Sequence, residues 1–286
     1  MLGERTRADA AVAATVASIT RATTWQLVDQ LRLRFDAHHP QGMARIGSTW
    51  WISTVDISAR RGLVMAVDDR GKLVGEIPIG GNLQYHPGGM DFDGTALWVP
   101  CAEYRPDSTT TVYRLQIGET PERAFDVDDH IGALARCGPA GDLVGWSWGS
   151  RRFYRWSFDG HLQTVRINPA FFVDHQDCQW LDSGHLLCGG VAEVGLASGP
   201  GWLGGLGLLN VDDLVMEREI PFSIYSSSSG RVATHNPLWA EVSGDQLIVH
   251  LLPDDAKGTI LSYATTLVAR GPWERPDRLG SSVTAS

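Results

Sequence analysis

Apolar and β-branched residues recur along this chain in short runs that alternate with polar residues or stay apolar throughout, broken by Gly, Asp-Gly and Ser-Gly. A period of two with such breaks predicts strands joined by tight turns. The clearest unit runs from His86 to Tyr104, His-Pro-Gly-Gly-Met-Asp-Phe-Asp-Gly-Thr-Ala-Leu-Trp-Val-Pro-Cys-Ala-Glu-Tyr. From His39 the chain repeats it as His-Pro-Gln-Gly-Met-Ala-Arg-Ile-Gly-Ser-Thr-Trp-Trp-Ile-Ser-Thr-Val-Asp, and in both copies 17 residues separate the histidine from a carboxylate, Glu103 or Asp56. Weaker copies open at His130, His175 and His235, so that successive histidines stand 47, 44, 45 and 60 residues apart. A repeat of about 45 residues with four strand-like runs reads as one blade of a β-propeller, which buries its faces only against its neighbours. Five copies predict an all-β chain with a single five-bladed β-propeller.

The predicted strands are 42–45, 50–55, 63–67 and 72–79 in the first blade, and 88–92, 96–102, 110–116 and 123–127 in the second. The third continues through 152–158 and 162–167, the fourth through 205–211 and 217–222. The last copy supplies 237–242, 247–252 and 259–265 and then lacks a fourth strand, whereas residues 25–35 form a strand with no blade of their own. Pairing that N-terminal strand with the C-terminal blade would close the ring without an open edge. The division is therefore 1–24 as a tail or short helix, with a helix over 8–19, 25–270 as the propeller and 271–286 as a tail. The fourth copy is lengthened at 194–204, tipped by Trp202, and at 223–234, which holds a Ser run and Arg231; both are expected to form a flap over the histidine end.

Composition agrees with a turn-rich β protein: 43% hydrophobic residues, 32 glycines and 11 tryptophans in 286 residues. The formal net charge of −9, without a basic stripe, argues against nucleic acid and anionic membranes as partners. No apolar run is long enough to span a bilayer. Arg5 and Arg7 before Ala-Val-Ala-Ala-Thr-Val-Ala loosely suit a secretory leader, but Glu4 and Asp9 interrupt it, and the expectation is a cytoplasmic protein. Cys178 and Cys188 lie symmetrically about the Ser183-Gly184 turn and should face each other as reduced core thiols.

Each histidine precedes an innermost strand and each carboxylate ends the second, antiparallel strand, so both belong to one face of the ring. Convergent imidazoles at His39, His86, His130, His175 and His235 suit a divalent transition metal, zinc or iron foremost. Asp56, Glu103, Glu193 and Asp254 would stand outside them. Glu103 is the candidate base, flanked by Tyr104 and Arg105, with Arg151 contributed by the third copy, which lacks the acid. Asp56, Glu193, Trp148, Trp202 and Arg231 are candidate contacts to a small-molecule substrate. The competing reading makes the histidines a structural network, as in Trp-Asp propellers, although no Trp-Asp dipeptide is present to complete it. Gly145-Trp-Ser147-Trp-Gly149 spells Gly-x-Ser-x-Gly but continues into a strand rather than a helix, which argues against a nucleophile elbow.

The segments His38-His-Pro-Gln-Gly, Tyr85-His-Pro-Gly-Gly, Ala102-Glu-Tyr-Arg-Pro, Asp129-His-Ile-Gly and Trp148-Gly-Ser-Arg-Arg-Phe-Tyr together resemble a bacterial and fungal propeller family classed as a domain of unknown function. The resemblance covers roughly residues 25–268 and implies the propeller fold without an established reaction. The leading expectation is a metal-dependent enzyme of hydrolase, lyase, isomerase or cyclase type acting on a small organic molecule in the axial pocket. A metal-free glycosidase with two carboxylates, a histidine-ligated iron oxygenase and a non-catalytic binding scaffold are the alternatives.

Overall fold

The computed structural model describes residues 2–267 except 21, 139, 140, 171, 182 and 198; the expected tail at 271–286 lies outside them. Helix α1 (Leu2–Ser18) precedes an all-β body. Its strands are β1 (Gln26–Arg32), β2 (His39–Ile46), β3 (Thr49–Asp56), β4 (Arg61–Val67), β5 (Leu73–Ile79), β6 (Gln84–Pro87), β7 (Gly89–Phe92), β8 (Ala96–Glu103), β9 (Thr110–Gln116), β10 (Glu122–Val127), β11 (Ile131–Cys137), β12 (Asp142–Ser147), β13 (Arg152–Trp156) and β14 (Leu162–Ile167). They continue as β15 (Asp174–Leu181), β16 (His185–Leu196), β17 (Gly199–Asn210), β18 (Val215–Phe222), β19 (Leu238–Ser243), β20 (Gln246–Leu251) and β21 (Thr259–Thr266).

Three sheets have four strands each, β2-β3-β4-β5, β15-β16-β17-β18 and β1-β21-β20-β19. A fourth has nine, running β10-β9-β8-β7-β11-β12-β13-β14 with β6 also on β8. Its middle is a short parallel pairing that joins Gly89 to Ala133 and Met90 to Leu134. Burial falls from the inner strands outward: β3 is almost wholly buried, β5 alternates and β14 is exposed throughout. That gradient belongs to sheets standing radially about an axis, a β-propeller-like arrangement.

The axis explains the His-Pro-x-Gly element. A Cβ on Gly42 would come within 2.6 Å of the Met90 nitrogen, and one on Gly89 within 2.6 Å of the Gln176 carbonyl oxygen. Only glycine lets the inner strands approach this closely. Between them lies the Asp177 carboxylate, fully buried, which accepts hydrogen bonds from Met43 N (2.9 Å), Met90 N (3.0 Å) and Leu238 N (3.1 Å). One side chain thus ties β2, β7 and β19 to β15. Around this centre, facing sheets bury Trp98, Trp146 and Phe153, each contributing about 2–3 kcal/mol of transfer free energy.

Several details depart from the sequence reading. The segment 194–204 extends the β16–β17 hairpin rather than forming a loop, because its residues pair from Val194–Gly201 to Leu196–Gly199. The N-terminal strand ends at Arg32, and Leu33 and Ala37 turn inward beside Met43 and Trp50. Val12 and Val16 of α1, with Ile19 just beyond it, pack against Leu206, Leu238, Leu247 and Val249 in one buried cluster. Cys178 and Cys188 pair in register, and all four cysteines are buried and free.

Candidate functional site

At the end of the inner strands where the histidines stand is a cavity of about 120 Å³. His39 opens β2, His86 lies in β6, His130 immediately precedes β11 and Asp174 opens β15, and these ends line the wall together with Gln41 of β2 and Gln176 of β15. Tyr104 follows β8, and Trp148 lies in the 3₁₀ turn after β12. The His86 ring lies 4.4 Å from Tyr104, 5.1 Å from His130 and 5.7 Å from Trp148 between centroids, and Trp148 lies 4.6 Å from His130. The His86–Tyr104 and His130–Trp148 contacts are edge-to-face and the other two tilted, and together they hold the rings in place.

Each imidazole is fixed by a different partner. His39 Nδ1 is 2.9 Å from Asp255 Oδ1, and Arg231 reaches the same oxygen at 2.8 Å. Against the pull of burial, these two contacts hold the Asp255 carboxyl well below the ordinary carboxylate value. His86 Nε2 meets Gln41 Oε1 at 3.1 Å, while His86 Nδ1 is buried without a partner. His130 Nδ1 donates to the Arg105 carbonyl at 2.9 Å. Burial lowers His86 far below the usual imidazole value, helped by repulsion from His130, and lowers His130 to about 4. Both rings are neutral at neutral pH. Burial acts oppositely on Asp174, raising its carboxyl to about 6 in spite of contacts from His175, Gln176 and Ser150.

Other residues expected at the site hold different positions. His175 lines the cavity, but its ring is sealed from solvent, 3.5 Å from Glu219 Oε1 and packed on the Gly207 backbone, where a Cβ would lie 2.8 Å from its Cε1. His235 lies beside the exposed Trp202 (6.1 Å), outside the cavity wall, and burial with the nearby Arg231 lowers it to about 4. Among the described residues, no group of three or more His, Cys, Asp or Glu side chains is arranged to hold a metal ion. Glu103 stands outside the cavity in a two-point pair with Arg105 (2.9 and 3.2 Å), which lowers its carboxyl and leaves it a weak base. Asp56 caps its own turn, accepting from Ala59 N and Ser58 Oγ, which with Arg61 bring it down to about 2. Glu193 is exposed on the hairpin opposite Trp202. Asp254 is clasped by Ser226, Ser228 and Ser229. Arg151 sits at the rim beside Trp148, donating to its carbonyl at 2.7 Å, and 3.6 Å from Asp129. Tyr104 and Trp148 are in the wall itself.

With this geometry in view, a family description matches residues 7–269, almost the whole of the body just described. The chain belongs to the family of unknown function DUF6454. No curated protein matches it. The tail fibre of Staphylococcus aureus phage P68 shares the fold at a TM-score of 0.56 and 8% identity, over 90% of this chain and 56% of that one, so the chain spans just over half of the tail-fibre chain. A protein of unknown function from Bacteroides caccae aligns at a TM-score of 0.46 and 10% identity over 74% of this chain and 70% of that one. The β-propeller domain of Myceliophteria thermophila Cps50 (Swd1) aligns at 0.41 and 11% identity over 79% and 69%.

Three residues of this DUF6454 site escape the repeat-based reading. Asp174 precedes His175 as Asp129 precedes His130, an Asp-His pair visible in the sequence but overshadowed by the seventeen-residue spacing. Asp255 follows Asp254, and nothing local distinguishes the carboxylate that reaches His39 from the one clasped by serines. Gln41 carries no signal, since the corresponding residue of the second copy is Gly88.

Proposed function

We propose that this DUF6454 protein is an enzyme that moves protons on a small organic molecule in the axial cavity, in the manner of a lyase or isomerase. The observation that supports it is the meeting, in one small enclosure, of an imidazole held by a carboxylate (His39–Asp255) and a carboxyl raised to about 6 (Asp174). A carboxyl that its surroundings raise toward neutrality exchanges protons efficiently at neutral pH. Asp255 fixes the His39 tautomer and stabilises the imidazolium formed when Nε2 takes a proton from substrate. Asp174 returns one to the departing or carbonyl oxygen, and Tyr104, whose phenol is raised by burial, stays a hydrogen-bond donor. Among the described residues one carboxyl stands in the wall rather than two, which counts against a two-carboxylate glycosidase.

A second reading keeps the metal: His86 and His130, 5.1 Å apart, would supply imidazole nitrogens to zinc or iron after a small ring movement. The fold supports either reading best if the nine-stranded sheet is two blades fused through β7 and β11, which makes five blades, with β1 on β21 closing the ring. Four buried free cysteines fit a cytoplasmic location.

The test is an NMR titration of Asp174 with turnover assays on small-molecule hits from a binding screen of the full chain. We expect Asp174 to titrate near 6, and His39→Ala and Asp174→Asn to bind hits while losing at least about 100-fold in kcat. An ordinary Asp174 titration, or turnover untouched by both substitutions, overturns the proposal. Near-stoichiometric zinc or iron that vanishes in the folded His86→Ala/His130→Ala variant replaces it by the metal reading.

A further inference from the structure

The hydrogen-bond pattern of the wall restricts what the cavity accepts, and we infer that its ligand is a small molecule carrying at least two O–H or N–H donors and no anionic group. This rests on the cavity being the functional site, and it concerns the ligand rather than the proton-transfer step.

The tautomers of three of the four wall histidines, His39, His86 and His130, set this requirement, while the fourth, His175, has its ring sealed from solvent. A carboxylate or carbonyl oxygen accepts only, so the ring nitrogen against it must carry the proton. His39 Nδ1 faces the Asp255 carboxylate, which leaves Nε2 bare. His130 Nδ1 faces the Arg105 carbonyl at 2.9 Å, with the Ser108 hydroxyl 3.3 Å away and the Glu103 carbonyl also beside the ring, so Nδ1 carries the proton and Nε2 is the acceptor. His86 is fixed at one remove: Gln41 Nε2 donates to the Pro40 carbonyl at 3.0 Å, which sets the amide so that Oε1 meets His86 Nε2 at 3.1 Å. His86 Nε2 therefore carries the proton and Nδ1 is bare, buried and without a donor from the protein.

The imidazoles of His39, His86 and His130 thus each keep an unused acceptor in their neutral form. An unsatisfied buried acceptor costs about 1–3 kcal/mol, and a ligand that donates to it recovers that cost. An anion brings only more acceptors, and among the described residues no lysine or arginine lines the wall to receive it. The arginines nearby are engaged, Arg105 by Glu103, Arg231 by Asp255 and Arg151, at the rim, by the Trp148 carbonyl and Asp129. Asp174, the carboxyl of the wall, repels an anion further. At about 120 Å³ the space suits a few carbon atoms with their hydroxyls or an amine, well under the ~300 Å³ of the smallest drug-sized pockets. The flat faces of Trp148 and Tyr104 suit the C–H side of such a molecule.

The experiment uses the full chain at about pH 7.5, above the lowered values of His86 and His130, with glycerol, ethanolamine, acetate, inorganic phosphate and zinc as separate probes in ligand-observed NMR. Glycerol or ethanolamine should bind saturably and acetate and phosphate should not; glycerol alone assigns the donors to hydroxyls, ethanolamine alone to an ammonium. His86→Phe should weaken the bound probe about ten-fold or more while the exposed His161→Ala does not. Imidazole ¹⁵N shifts of the wild type keep the inference falsifiable if His86→Phe misfolds: they should report Nδ1 bare in His86 and Nε2 bare in His39 and His130. Preference for acetate or phosphate, the opposite tautomers, or tight zinc binding at these nitrogens overturns the inference. Failure of both donor probes while Asp174 titrates near 6 overturns the ligand class alone, whereas donor binding with an ordinary Asp174 overturns the proton-transfer reading alone.

Discussion

Burial raises the Asp174 carboxyl from an ordinary 3.8 to about 6, so between those values the folded chain holds a proton that the unfolded chain has released. Its contribution to stability is present below about 4 and is lost as pH rises through about 6. Asp174→Asn should therefore stabilise the protein above about pH 6, by ~1–3 kcal/mol, with the gain vanishing toward about pH 4. His130 has the opposite sign: its folded value near 4 lies below the ordinary 6.5, so stability is complete above 6.5 and falls as pH drops toward 4. His235, also near 4, adds to that fall. Thermal melts from about pH 4 to about pH 8 on wild type and Asp174→Asn check both signs; a variant that melts like wild type at neutral pH refutes the raised carboxyl. The histidines at these positions were legible from spacing alone, but which rings stay open to the cavity was not, because His39 opens β2 and His175 stands second in β15, and packing on Gly207 with Glu219 alongside seals the latter.

At the scale of elements, β1 is far from its partner in sequence and has mostly exposed side chains, yet its backbone pairs with β21 from Gln26–Ala264 to Arg32–Thr259. Removing residues 25–35 strips the edge of that sheet and takes Leu33 from the cluster that holds Met43, Trp50 and Ile260. Loss of ladder bonds and of buried leucine together should cost more than ~3 kcal/mol. Chemical denaturation of the truncated chain should give a lower midpoint for the whole transition, not a local loss seen only near β21. The alternation of 25–35 announces the strand before any partner is known. The β16–β17 extension was not legible, because Gly195, Gly199, Gly201 and Gly204 read as a loop, and the continuous pairing of the two strands makes it a hairpin.

Across the whole molecule, Asp177 joins strands from three separate sheets to β15 through backbone donors. Burial pushes its carboxyl upward, and the N–H groups of Met43, Cys178, Leu238 and Met90 pull it back. Asp177→Ala leaves these donors unsatisfied at the centre of the ring and should destabilise by ~3–5 kcal/mol. Asn should recover only part, because both carboxylate oxygens accept and an amide NH₂ would face a backbone N–H. Midpoints from urea unfolding give the comparison, and an alanine variant as stable as wild type would remove Asp177 from this role. Among the described residues no helix is long and apolar enough to cross a membrane.

Local chemistry determined much of this protein in advance. Period-two patterning, Asp-Gly turns and the His-Pro-x-Gly repeat specify strands, their order and a common end for the histidines, since these depend on neighbours along the chain. The carboxylates mislead for the same reason: Asp56 and Glu103 keep the predicted spacing, but a turn and Arg105 occupy them, while Asp174 lines the cavity and Asp255 holds the wall residue His39, both from distant repeats. Whether a polar side chain meets a ligand or a protein partner depends on burial and on groups far away in sequence. Those are decided only when the sheets close around the axis.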